Sequence, residues 1–433
     1  MNIKNKFAKY VSQNILGMMG VSCYIIADTF FISKHSGADG ITVLNLALPI
    51  FNIIFAIGAM IGMGAATRFA IYRAQGKKQA DDYFTNAIWW TALISVVFVI
   101  AGLVCPDKVI ELMGGDTRII KLGFNYNRII LCFAPFFMLN QVVCYFVRND
   151  NSPTVAMAAT TAGSLFNIAF DYIFMFPLGL GLTGAAMATA ASPIISTGIC
   201  LIHFFSKKNT LRLKRIKPRI KMLLKSCQLG IAAFIGEMSS GVTTMVFNYR
   251  ILAIAGNIGV AAYGVIANFA LVATASFNGI AQGAQPLVSE QYGKGESETV
   301  RKLLKMGLVT ALVIATVIVV GVYTYTDSMV ALFNSEGNKE LASLAKIGMR
   351  LYFPGFIFAG FNIVTGVMLS ATAHSIPAFI TSISRGVVGI VGCCIVLSLI
   401  FGLNGVWASF LVAEIITCIL SCIMLVKTKG LNK

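Results

Sequence analysis

The chain has 433 residues, of which 57% are hydrophobic and only 12% charged, with a mean hydropathy of +0.80. No soluble globular domain of this length is so apolar, so a water-soluble module is excluded and an all-α integral membrane protein is predicted. The formal net charge of +17 is accounted for by basic loops on one side of a membrane, so no nucleic-acid partner is expected.

Apolar stretches of roughly 20 residues recur along the whole length, each able to cross a ~30 Å hydrocarbon core as a helix. Twelve are predicted, at about 11–33, 45–71, 84–104, 124–146, 154–175, 180–204, 227–250, 260–288, 303–325, 346–370, 376–400 and 404–427. The leader MNIKNKFAKYVSQN is basic and polar and runs straight into a full-length span, so the first helix is expected to act as an uncleaved signal. On that span Gln13, Gly17, Gly20, Tyr24 and Asp28 fall within about 80° of arc, a narrow polar and small face. The fifth span reads SLFNIAFDYIFMF, with Asn167 and Asp171 one turn apart and Ser164 on the same stripe.

An acid at the centre of a membrane helix costs roughly 2.5–3.5 kcal/mol on insertion scales, so Asp28, Asp171, Glu237 and Glu414, the four acids inside spans, are functional candidates. If the first and fifth faces meet, Asp28 and Asp171 form a carboxylate pair. In a dry pocket such a pair holds one proton or shares a cation.

Between the sixth and seventh spans, KKNTLRLKRIKPRIKMLLK (207–225) carries nine basic residues and is expected to lie on anionic lipid headgroups. On the seventh span Glu237, Ser240, Gly241, Thr244 and Asn248 share a polar face, and Asn278, Gln282 and Gln285 form one on the eighth. One acid among amides and hydroxyls suits a cavity for a cationic guest. Glu414 aligns with Trp407, Cys418 and Ser421 and has no evident partner, while Arg385 is the one deeply placed base. The ten cysteines show no metal spacing and are read as small fillers; His35, His203 and His374 sit near span ends and are read as interfacial.

With the N-terminus inside, 24 of the 34 Lys and Arg fall on that side, 9 on the other and one within a span, which predicts both termini in the cytoplasm. Six spans precede the basic linker and six follow it. GMGAATRFAIYRAQGKK from Gly62 matches GIAQGAQPLVSEQYGKG from Gly279 at a constant offset of 217, and GLTGAAMAT at 181 is echoed by GLNGVWASF at 402. These point to two parallel six-helix repeats, an N-terminal lobe at 1–205, a linker at 206–226 and a C-terminal lobe at 227–433, with a central cavity.

Taken together, ADTFFIS (27–33), GAATRFAIYRAQGKKQA (64–80), NIAFDYIFMF (167–176), GLTGAAMATA (181–190) and FIGEMSSGVTTMVFNY (234–249) resemble the multidrug and toxic compound extrusion (MATE) transporters, cation-coupled antiporters with two six-helix lobes. RNDNSP (148–153) looks like the MepA-like bacterial branch. The resemblance implies a cation or proton site made of Asp28, Tyr24, Asn167, Asp171 and Thr189, and a seventh-helix acid in Glu237. Gln13 stands where many members carry a first-helix proline, and residues 346–370 lack the tenth-helix acid of the NorM-like branch.

The function expected is export of amphipathic, often cationic compounds across the cytoplasmic membrane, driven by protons or sodium. Glu237, Ser240, Thr244, Asn248, Asn278 and Gln282 are the substrate candidates. A flippase of a lipid-linked precursor is the rival reading, but an anionic diphosphate calls for basic spans. No HExxH motif and no GxxxxGK[ST] loop occur, so neither an intramembrane enzyme nor an ATP-driven pump is expected. No cofactor or resident metal is expected, apart from possible sodium at the Asp28/Asp171 site; membrane lipids are the surroundings, and a monomer is expected.

Overall fold

In hydrocarbon every backbone N–H and C=O must be bonded within the chain, and helix does so segment by segment. The computed structural model describes residues 2–334 and 337–428, and among them helix dominates and no strand occurs. The spans are α1 (Ile3–Gly37), α2 (Asp39–Ala74), α3 (Ala80–Val104), the bent pair Thr117–Cys132 and Ala134–Asn149 forming α4, α5 (Pro153–Met175) and α6 (Gly181–Leu201). There follow α7 (220–255), α8 (257–293), α9 (Ser297–Ala331), the bent pair Lys339–Tyr352 and Gly355–Ala371 forming α10, α11 (375–401) and α12 (403–427). Each of the twelve expected spans falls on one of these helices or bent pairs.

The chain divides into two compact units, Met1–Glu237 and Met238–Lys433. The duplication read from sequence is written in the backbone of each. The α1–α2 junction turns at Gly37 (φ 58°, ψ −146°) and the α7–α8 junction at Gly256 (φ 62°, ψ −158°), a conformation that disfavours any residue with a Cβ. Gly181 at the start of α6 (φ 53°) is matched by Gly402 before α12 (φ 56°), and the bends of α4 (43°) and α10 (48°) correspond.

Within the first unit α1 lies alongside α5 in parallel register. Gln13 bonds Thr154 (3.0 Å), Gly17 packs on Thr160 and Met157, Gly20 on Ser164, and the Phe31 ring stands 6.1 Å from that of Tyr172. Small residues let the two backbones approach, which is how helices associate where lipid offers no hydrophobic contrast. The α4–α5 loop uses Asn151 in the left-handed region (φ 57°) and Pro153 in the first turn of α5.

The basic linker is also held by its own unit. Lys214 reaches Asp81 (3.4 Å) and Asp82 (3.3 Å), its backbone N–H donates to Thr85, and Arg219 N–H donates to Asn86 (2.7 Å). The strap is thus tied to acids and amides of its own unit, while Arg212, Arg215, Lys217, Lys221 and Lys225 stay exposed. His203 is buried, not interfacial: its Nε2 meets Asp150 at 2.8 Å.

The second unit is built on rings. Tyr352 stacks on Phe410 at 4.2 Å, and Trp407, fully buried, lies 6.1 Å from Tyr263. In α11, residues Ser384–Gly389 form a π-helical turn.

Candidate functional site

The α1–α5 register carries the polar faces of both helices to the same depth. Asp28 is 8% exposed and Asp171 fully buried, and their carboxyl groups interact directly. Asn167, one turn below Asp171, is fully buried and donates Nδ2 to Thr189 Oγ1 on α6 at 3.3 Å. Tyr24, one turn from Asp28 and half-buried, lies within electrostatic reach of both acids. All five residues expected at the ion site therefore gather where α1, α5 and α6 converge.

What this cluster lacks is hydrogen bonds to most of its acid oxygens. Asp28 Oδ1, Asn167 Oδ1 and both oxygens of Asp171 are buried without a hydrogen-bond partner at normal geometry. Two carboxyls facing one another are acceptor against acceptor, and a buried acceptor left unpaired costs about 1–3 kcal/mol. A proton between them, or a hard cation taking carboxylate and neutral oxygens, supplies what is missing. The oxygen-rich donor set fits either.

Tyr126 was not singled out from sequence. It is buried on α4 and lies near Asp28, Asp171 and Tyr24. Its neighbour Asn127 donates to the Pro106 carbonyl at 2.8 Å, so the pairing of an amide with Tyr126 in an apolar span was the available signal.

The substrate candidates divide. Glu237, half-buried, closes the first unit and lies close to Tyr24 and Tyr145. Ser240 and Thr244 belong to the second unit and are exposed; Thr244 donates to the Ser240 carbonyl (3.1 Å) and adjoins Tyr263. Asn248, Asn278 and Gln282 are half-buried. Gln285 is taken up by packing: it donates to Ser289 (3.1 Å), which donates to the Ala371 carbonyl (3.2 Å).

Glu414 has partners after all. Arg385 Nε bonds its Oε1 at 2.7 Å, and Asn362 Nδ2 bonds its Oε2 at 2.8 Å.

The MatE family model matches residues 14–173 and 231–395, one block in each half of the chain. The chain belongs to the MatE family. Among its relatives, the multidrug export protein MepA of Staphylococcus saprophyticus is 26% identical over 420 residues, covering 95% of this chain and 91% of that protein. Of solved structures, the outward-facing conformation of a multidrug resistance MATE family transporter superposes with a TM-score of 0.91 at 21% identity, over 98% of this chain and 95% of that one. A Pyrococcus furiosus transporter of the MOP superfamily also scores 0.91 at 21% identity, covering 100% of this chain and 97% of its own; its reversed pocket polarity is described as suggesting a different function. This MatE chain thus has the MATE fold, is a multi-pass membrane protein, and carries four of the five cluster residues, Tyr24, Asp28, Asn167 and Asp171, inside its first matched block.

Proposed function

We propose that this MatE member is an antiporter that exports amphipathic, often cationic organic compounds across the cytoplasmic membrane, both termini inside, by exchange for a proton or sodium ion at Asp28 and Asp171. The observation that carries the reading is the facing pair of buried carboxyls with unmet oxygens. Such a pair gains most from a proton or cation when water is excluded and releases it when the site opens, so occupancy is tied to conformation, as antiport requires. The export of many drugs named for the staphylococcal relatives supports the substrate class, as does Glu237, whose charge complements a cationic guest.

Protons are slightly favoured, since the pair alone suffices for a proton, whereas sodium also needs Asn167 and Thr189 in its shell. The flippase alternative draws little support, because Arg385, the deep base an anionic headgroup would seek, is matched by Glu414.

The test is efflux of a fluorescent cation from reconstituted vesicles under separately imposed proton and sodium gradients. Efflux driven by either gradient is the expected result. Sodium-dependent efflux at clamped pH, with no proton flux, would reject the proton assignment, and no response to either gradient would reject coupling.

A further inference from the structure

Glu414 is the one fully buried acid among the described residues of the second unit, and its surroundings are unlike a packing ion pair. The bonds it accepts come from Arg385 Nε and Asn362 Nδ2, and Asn362 in turn accepts from Ser421 (3.0 Å). A guanidinium that grips a carboxylate for stability does so through two parallel bonds; here a single one is made, and Arg385 keeps 22% exposure. Arg385 sits in the π turn Ser384–Gly389, a rare distortion that is frequent at functional sites.

Hydroxyls continue the cluster in one direction. One helical turn from the pair, toward the same end of the unit, stand Thr365 on α10, Thr381 on α11 and Thr417 on α12. Thr417 bonds Ser384 at 3.2 Å, while the buried hydroxyls of Thr365 and Thr381 have no partner, and neither does that of Ser370 further along. Three orphaned buried hydroxyls are costly in a core designed only to pack. Water bound among them would bridge them toward the carboxyl.

We infer that Glu414 is a second proton-exchanging carboxyl, in the second unit, with Arg385 as its counter-charge and the threonines as its approach. A proton arriving by the hydroxyls adds to Oε1. The Nε–H···Oε1 bond breaks, the guanidinium keeps its own proton and charge, and the site passes from net zero to +1 while Asn362 stays on Oε2. The charged and titratable groups facing Glu414 are Arg385 from α11, Tyr352 from α10 and Cys418 on its own helix. Its use in transport rests on the coupling proposed above; its proton chemistry does not.

The test is infrared difference spectroscopy of the reconstituted full chain between acid and alkaline baths, which reads the carbonyl stretch of protonated carboxyls without any substrate. The expected result is loss of one such band in Glu414→Gln and its survival in Asp28→Asn and Asp171→Asn. Glu414→Gln/Arg385→Gln, which leaves no unpaired charge, must lose the same band and stands in if the single variant does not fold. Spectra unchanged by either variant would make Glu414 a permanent ion pair and overturn the proposal. Loss of the band with unaltered gradient-driven export would confine Glu414 to proton binding and overturn its use in coupling alone.

Discussion

Glu237 differs from the other buried or half-buried acids in having no basic partner in the described contacts and no hydrogen bond to another acid. Its charge is therefore available to a guest. Glu237→Gln keeps size and polarity while removing that charge, and is expected to weaken export of cationic compounds about tenfold while leaving neutral or zwitterionic ones within about twofold; one lost exposed-to-buried charge contact of about 1.4 kcal/mol corresponds to that factor. Parallel efflux assays with a cation and a zwitterion check it, and equal loss for both would assign Glu237 to folding or ion coupling. At this scale the sequence revealed much: expense alone picked out Asp28, Asp171, Glu237 and Glu414. It did not reveal the pairing of Glu414 with Arg385, because the two lie either side of the Gly402 turn and the π turn shifts the phase of α11, so ideal helical spacing gives the wrong face. Tyr126 escaped for a similar reason, since its neighbours come from other helices.

Among elements, the most tightly specified is the strap between the halves. Asp150, fully buried at the end of α4, accepts from His203 Nε2, from the Thr210 N–H (2.7 Å) and hydroxyl, and from Arg73, which also donates to the Asn149 carbonyl (2.9 Å). Burial on its own would raise this carboxyl, but the bonds from His203 and Thr210 and the charge of Arg73 outweigh it and hold the carboxyl below the usual range. A carboxyl that ionises more readily when folded stabilises the fold fully above its unfolded value, pH ~4, and that contribution is lost as pH falls through the lower folded value. Asp150→Asn is expected to cost about 2–4 kcal/mol, somewhat under the range for a broken fully buried pair because Arg73 keeps 23% exposure. It is also expected to flatten the acid limb of thermal stability in detergent. An unchanged melting midpoint at neutral pH would show that the strap is not held there. The positive charge of the linker was plain in the sequence, but not that Asp81 and Asp82 of the same unit would neutralise part of it; composition points to a basic segment's field, and only the fold shows which acids lie beneath it.

For the whole molecule, twelve spans, duplication and fold class were legible because hydropathy and the charge bias act over long windows, where local exceptions average out. The turns at Gly37 and Gly256 turn a weak identity between halves into a repeated backbone conformation. On the proposed orientation, Lys217→Cys or Lys221→Cys, both at exposed positions, are expected to react with an impermeant maleimide from the cytoplasmic face only; labelling from outside intact cells would reverse the topology. The account as a whole stands on Asp28 and Asp171 acting as one coupling unit, and the direct measurement is gradient-driven export by Asp28→Asn, Asp171→Asn and the double variant, with substrate binding followed in parallel. If the two share one proton or cation, each single variant abolishes driven export while binding persists, and the double variant is no worse than either. Partial losses that add in the double variant would contradict the account, because they would mean two independent sites.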